Sequence, residues 1–260
     1  MSIKTNYSKL AQRLSKKIAA YFKDAGYENA VLGLSGGLDS STTAYLLANA
    51  LGAHHLFGAI LPSSSSRQED IAHAHLVART IGFNYYRFNI SDISDSIVFR
   101  IHGRGLTPQD KLARGNITAR LRSLFLYNIA SRKRALVVGT GDRSELLLGY
   151  FTKYGDGAVD LLPLGSLYKT EVKALARVIG VPDTIIQEPP SPGLWQGQTA
   201  ESELGASYEK IDAILRLLVD KKKKPSAVAK AVHNRRLVAR VQEMIETSGH
   251  KRRAPPILKP

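Results

Sequence analysis

The stretch Val31-Leu32-Gly33-Leu34-Ser35-Gly36-Gly37-Leu38-Asp39-Ser40-Ser41 constrains the fold of this chain more than any other. A short apolar run ends in a turn of small residues and helix-compatible sequence begins at once, so a strand must hand over directly to a helix. Gly36 and Gly37 admit backbone conformations that a β-carbon resists. Turned inward beside the positive end of the next helix, several N–H groups would form a seat for phosphate. The Gly-Lys-Ser/Thr ending of a Walker A loop is missing, and Asp39 stands near where its lysine would be. A carboxylate beside polyphosphate repels it unless a divalent cation sits between, so Asp39 reads as a Mg2+ ligand. An ordinary strand-to-helix turn is the plainer reading of this stretch taken alone.

The rest of the chain repeats the alternation. Leu10, Leu14, Ile18 and Phe22 recur every four residues and predict an amphipathic helix over 8–24, stopped by Gly26. Strands are predicted at 30–34, 55–62, 84–90 and 135–139, separated by helices ending near Gly52, over 68–81 with Gly82 as C-cap, and over 109–132. Strands alternating with helices imply βαβ units, hence a doubly wound parallel sheet flanked by helices in a single α/β domain spanning 1–260. Ligands of such sheets collect beyond the carboxyl ends of the strands, where both the glycine loop and Gly139-Thr140-Gly141 fall. Residues 150–166 read as a functional loop, 187–199 as a mobile, lid-like loop rich in Pro and Gly, and 247–260 as a basic tail. Helical patterns resume over 201–219 and 226–246.

Composition narrows the chemistry. With 260 residues the chain can bury a sizeable core, and no apolar run approaches membrane-spanning length. Residues 1–24 resemble a surface helix rather than a signal peptide, which points to the cytoplasm. No cysteine is present, which excludes disulfides, thiolate metal sites and cysteine nucleophiles. The net charge of +15 favours anionic partners, nucleic acid or polyphosphorylated nucleotides alike. His73 and His75 lie two apart on a predicted helix, and His54 and His55 begin a predicted strand and point oppositely, so neither pair suggests a metal site. Lys221 to Lys224 reads as a solvated helix end.

Ser35-Gly36-Gly37-Leu38-Asp39-Ser40 resembles the PP-loop of the N-type ATP pyrophosphatases, a fold related to the adenine nucleotide alpha-hydrolases. The run from Gly139 through Glu145, Lys153 and Asp160 to Lys169-Thr170 is similar to the ammonia-dependent NAD synthetases. So are Asn116 to Arg122, Pro189 to Trp195 with Gly197-Gln198-Thr199, Glu203-Leu204-Gly205, and His250-Lys251-Arg252. The resemblance covers nearly the whole chain with its motifs in the same order. It implies ATP-dependent conversion of deamido-NAD to NAD through an adenylated carboxylate, with release of pyrophosphate and AMP. It implies that Gly33, Leu34, Ser35, Gly36, Gly37, Leu38, Asp39, Ser40, Thr140, Lys169 and Ser191 surround ATP, and that Asp39 and Glu145 hold Mg2+. Arg120, Lys153, Asp160, His250 and Lys251 match deamido-NAD-binding positions. Asp142, Arg143 and Arg122 receive no role, and Trp195 either closes over a nucleotide or packs on the surface.

The resemblance further implies a homodimer, with 109–132 and 201–219 as candidate contacts and Leu121, Leu124, Phe125 and Leu126 either facing a partner or belonging to the monomer core. Ammonia would come from solution or from a separate supplier, because residues 1–29 are too short for the glutaminase domain of the glutamine-dependent branch. Two other functions compete. A PP-loop enzyme that adenylates tRNA would suit the basic charge, but no RNA-binding appendage is evident, so nucleic acid is not the expected partner. A non-catalytic nucleotide-binding protein would suit loss of Asp39 or Glu145, and both are present.

Overall fold

The computed structural model describes residues 5–103, 107, 110–195 and 197–258. The first residues of the predicted N-terminal and 109–132 segments, position 196 of the 187–199 loop and the last two tail residues lie outside that set. Helix α1 (Tyr7–Ala25) forms as its four-residue apolar spacing predicts: the Asn6 side chain accepts the Lys9 N–H at 3.0 Å, and Gly26 ends it with φ +73°. Strand β1 (Asn29–Gly33) leads through the glycine turn into α2 (Leu38–Leu51), β2 (Leu56–Ile60), α3 (Gln68–Ile81), β3 (Asn84–Arg87), α4 (Ser91–His102), α5 (Lys111–Lys133) and β4 (Ala135–Val138).

All the strand pairings are parallel, in the order β3-β2-β1-β4, with Val31 opposite both Phe57 and Val137. The chain winds outward from β1 to β3 and then returns to the other side of β1. The topological switch therefore lies between the carboxyl ends of β1 and β4, where an α/β sheet opens a crevice.

The period-two alternation of β1 feeds two cores. Ala30 and Leu32 pack with Ile18, Phe22, Leu46 and Leu47 on the side of α1 and α2, whereas Val31 packs with Leu121, Ile129 and Val137 on the side of α5. Each fully buried Leu, Ile or Phe of these layers contributes about 1.5–3 kcal/mol. The second half of the chain contributes α6 (Arg143–Leu148), α7 (Lys169–Ile179), α8 (Asp183–Ile186), α9 (Ala200–Leu204), α10 (Tyr208–Leu215), α11 (Pro225–Val232) and α12 (Arg235–Thr247). Helix α7 joins the first core, and α6 with α9 to α12 builds a third around Leu148, Tyr208, Ile211, Leu215 and Val238.

Several expectations change. His54 and His55 close a 3-10 turn over Ala53–His55, with their rings 4.1 Å apart, rather than starting a strand with opposite directions. The third strand stops at Arg87, although the Phe88 and Ile90 N–H groups still reach the Ile60 and Pro62 carbonyls. The 201–219 pattern divides at Gly205 (φ +80°), and the 226–246 pattern at His233 (φ +52°), where the Asn234 side chain caps α12 through the Leu237 N–H. Leu121 is buried in the monomer and Phe125 and Leu126 pack against the same core, leaving Leu124, 66% exposed, as the outward member of that stripe. Among the described residues no helix is long and apolar enough to cross a membrane.

Candidate active site

The glycine turn is tied to itself and to its surroundings. Leu34 donates its N–H to the Ala59 carbonyl at 2.9 Å, carrying β1 past its end. The hydroxyls of Ser35 and Ser40 lie 3.0 Å apart, and the Ser40 and Ser41 hydroxyls both donate to the Gly37 carbonyl, at 3.1 and 2.8 Å. Gly36 has φ +86° and backs onto the first turn of α3, so a side chain there would run into the Asp70 backbone. Gly37 takes the extended N-cap position of α2.

Across the switch point, β4 runs into Gly139-Thr140-Gly141 and then α6. The start of α6 is a capping box: the Asp142 carboxylate accepts the Glu145 N–H at 2.8 Å, and the Glu145 carboxylate accepts the Asp142 N–H at 3.2 Å. Lys169, the first residue of α7, sends its ammonium between the two loops. Its Nζ lies 2.6 Å from Asp39 Oδ2, 2.8 Å from Glu145 Oε1 and 3.0 Å from Asp142 Oδ2. A cation at a helix N-terminus opposes the helix dipole, and here three carboxylates offset that.

Burial disfavours the charged form of Glu145 and Asp142 and, with the neighbouring carboxylates, holds both above the ordinary carboxylate range although Lys169 pulls them down. Burial alone would lower the Lys169 pKa, but Asp142, Asp39 and Glu145 together hold it well above its usual value. Asp39 Oδ1 is buried and without a hydrogen-bond partner. An unengaged carboxylate oxygen beside the phosphate loop is a suitable donor for a hard divalent cation. Among the described residues no three His, Asp or Glu side chains form a complete metal cage.

A cavity of about 460 Å³ runs between the strand ends. Gly33 to Ser40, Thr140, Glu145, Lys169 and Ser191 all line it, so every residue expected around ATP faces one space. Of the residues expected around deamido-NAD, Lys251 lines it, with Nζ donating to the Gly149 and Phe151 carbonyls at 2.8 and 2.9 Å. Arg120, Lys153, Asp160 and His250 do not line it. Arg120 and His250 are exposed, and the Lys153 ammonium lies 5.1 Å from the Tyr154 ring centre. The Asp160 carboxylate accepts the Val137 N–H at 2.8 Å and the Tyr127 hydroxyl at 3.1 Å, closing the outer edge of β4. Asp160→Ala leaves that buried N–H unpaired and is expected to cost about 1–2 kcal/mol in urea unfolding with an unchanged slope.

Three contributors had no role in the sequence reading. Asp142 is fully buried beside Lys169, and its signal was the Asp-x-x-Glu spacing of a capping box. Arg122 lines the cavity with Nε donating to the Leu61 carbonyl at 3.2 Å. Arg67, also in the lining, pairs with Asp70 and with Glu188 of the 187–199 loop, while Ser65 donates to the Gly193 carbonyl at 3.0 Å. No spacing announces those two contacts, because they join segments remote in sequence. Trp195 lines the cavity.

A parallel sheet whose switch point carries a glycine-rich anion loop, facing carboxylates and one buried lysine, defines a nucleotide-binding α/β protein of the PP-loop class. The NAD synthase family model matches residues 10–255. The NH3-dependent NAD+ synthetase of Sulfolobus acidocaldarius is 44% identical over 257 residues, covering 98% of this chain and 90% of that protein. Among solved structures, the NMN synthetase of Francisella tularensis superposes with a TM-score of 0.85 at 32% identity, over 99% of both chains. The NH3-dependent NAD synthetase of Campylobacter jejuni, solved with nitrate, gives 0.82 at 29% identity, over 98% of this chain and 100% of that one. The chain belongs to the NAD synthase family.

Proposed function

We propose that the protein makes NAD from deamido-NAD, ATP and ammonia. The observation that carries this reading is the single cavity joining the glycine loop, the Asp39–Glu145–Lys169 cluster and Lys251. A carboxylate oxygen of deamido-NAD attacks the α-phosphorus of ATP, and the bond to the bridging oxygen of pyrophosphate breaks. Ammonia then attacks the acyl carbon of the adenylate, AMP leaves with the bonding electron pair, and the nitrogen sheds a proton.

The Ser35–Ser40 turn offers N–H groups to the departing pyrophosphate, with those of Ser35 and Gly37 held on the Ser40 and Ser35 hydroxyls at 3.3 Å until it binds. Lys169 neutralises charge there as a compact cation. Thr140 and Ser191 offer hydroxyls to the nucleotide, and the 187–199 segment walls the site from water. Mg2+, held by Asp39 and Glu145, would supply charge neutralisation on phosphate oxygens. Lys251, Arg120, Lys153, Asp160 and His250 are assigned to deamido-NAD. Since four of these lie outside the cavity, the dinucleotide extends from it over the surface, toward a second copy in a homodimer. Helix α5 offers Leu112 and Leu124, 61% and 66% exposed, to that contact. Of the apolar residues of 201–219, Leu204, Tyr208, Ile211, Ile214 and Leu215 are buried in the chain's own third core, while Leu217, Leu218 and Val219 are half-buried. Ammonia comes from solution or a separate supplier, and a cytoplasmic location goes with nucleotide substrates. The tRNA-adenylating alternative is not favoured, because the relatives reported over almost the full chain are NAD and NMN synthetases.

The test is chromatographic. Incubated with deamido-NAD, Mg-ATP and ammonium, the protein is expected to form NAD and AMP in equal amounts, and to form neither with glutamine instead. A parallel tube offers nicotinic acid mononucleotide, suggested by the Francisella relative's name. Faster turnover of the mononucleotide would move the substrate assignment, and no amide from either acid would end the synthetase reading.

A further inference from the structure

Asp212 on α10 does not line the cavity, yet its buried carboxylate, 2% exposed, is fully engaged on the two helix starts that carry the site. One oxygen accepts the Ser144 hydroxyl at 2.6 Å. The other accepts the Thr170 N–H at 2.9 Å and the Thr170 hydroxyl at 2.8 Å. Ser144 Oγ in turn accepts the Lys169 N–H at 3.0 Å. Ser144 is the neighbour of Glu145 and Thr170 the neighbour of Lys169, so a single carboxylate grips the residues adjoining both partners of a 2.8 Å ion pair. Its own element packs on both α6 and α7.

A buried carboxylate is costly unless every lone pair finds a donor, and an apolar side chain of the same size would fill this space without that cost. What the carboxylate adds is geometry. It fixes α6 and α7 to each other through short, charge-assisted hydrogen bonds, and the positive end of α7 supports the negative charge.

We propose that Asp212 is a positioning residue that sets the spacing at which Glu145 and Lys169 meet the ATP polyphosphate. The inference rests on the reading that those two side chains act there. Displacements of about 1 Å at a reacting centre cost roughly a hundredfold in rate. The grip on Ser144 and Thr170 is the contact that holds such a displacement off.

The test uses the full chain with deamido-NAD, Mg-ATP and ammonium. Asp212→Asn keeps the shape and removes the charge. It is expected to lower kcat about 30-fold, leave KM for deamido-NAD within about twofold, and raise the Mg2+ concentration for half-maximal rate about fivefold. Ile211→Val, on the same helix and buried in the third core, lowers the melting temperature without moving the Mg2+ requirement. A merely structural role for Asp212 would lower the active fraction and leave that requirement alone. Wild-type kinetics in Asp212→Asn, or the same Mg2+ shift in Ile211→Val, would overturn the inference.

Should Asp212→Asn not fold, Ser144→Ala decides. It is expected to show the same Mg2+ shift with kcat about fivefold lower, and wild-type behaviour there also overturns the inference. Lys169→Met separates the two layers. Full activity in that variant would remove the underlying reading and the inference with it. An inactive Lys169→Met beside an unaffected Asp212→Asn removes the inference alone.

Discussion

Lys169→Met is expected to lower NAD formation by about a hundred- to a thousandfold and to weaken the fold. The methionine keeps most of the stem's volume, so the loss isolates the charge. In the native protein this one ammonium stands within 3.0 Å of oxygens from Asp39, Asp142 and Glu145. Without it three carboxylates face each other at the switch point of the sheet. Removing one partner from a fully buried ion pair costs roughly 3–5 kcal/mol; the Asp39 and Glu145 side chains are partly exposed, so a smaller figure of about 2 kcal/mol is expected.

The sign of the pH dependence follows from the carboxylates. Burial already raises Glu145 and Asp142 above their unfolded values, and loss of Lys169 raises them further. The folded variant then holds protons that the unfolded chain has released. Its stability is retained at low pH and lost as pH rises through the raised values, so the deficit against wild type grows between about pH 5 and pH 8. Urea unfolding at both ends of that range measures it. If Mg2+ binds at Asp39 and Glu145 as proposed, adding it is expected to restore part of the lost melting temperature, but not the rate. A variant whose deficit is flat with pH would show that the three carboxylates are not coupled, and one whose melting temperature ignores Mg2+ would count against a cation held by Asp39 and Glu145.

Much of this arrangement was legible from the chain because its signals are local. The small-residue turn after β1 could only hand a strand to a helix, and the period-two run of Ala30, Val31 and Leu32 divides between the two cores as alternation requires. The 68–81 helix keeps its predicted bounds because Gly82 ends it in the left-handed conformation. Helix α7 was not among the predicted elements, although Val172, Leu175, Ala176 and Ile179 carry a helical spacing. Asp142, Arg122 and Arg67 went unread for a different reason. The Asp-x-x-Glu spacing could have marked Asp142 as a cap, but its contact with Lys169, like those of Arg122 with Leu61 and Arg67 with Glu188, joins segments whose separation no local pattern encodes. Asp160 and Lys153 were expected from their place in a motif, and their own contacts here hold a sheet edge and an aromatic ring.

Gly36→Ala is the second large effect, and it acts through the backbone rather than through charge. Gly36 has φ +86°, in the left-handed region, which costs an L-residue roughly 1–2 kcal/mol. Its added β-carbon would overlap the Asp70 carbonyl oxygen, come within 2.8 Å of the Asp70 carbonyl carbon, and approach the Ala74 nitrogen at 3.0 Å. These are helix backbone atoms of α3 and cannot swing aside as a side-chain tip could. Either the loop or the first turn of α3 must move. The loop carries the N–H groups proposed to meet pyrophosphate, and α3 begins beside Arg67, which pairs with Glu188 of the 187–199 segment. Both routes spoil the cavity. The expected result is a loss of about 2–3 kcal/mol in stability and about a hundredfold or more in kcat. Gly37→Ala is the matched comparison for stability. Gly37 has φ −80°, and its added β-carbon meets only the Ser35 hydroxyl oxygen at 3.5 Å, an ordinary contact. Its unfolding midpoint is therefore expected to stay near wild type. Equal stability losses in the two variants would mean that the turn is not pressed against α3, and the phosphate seat would then owe its shape to something other than the close approach at Gly36.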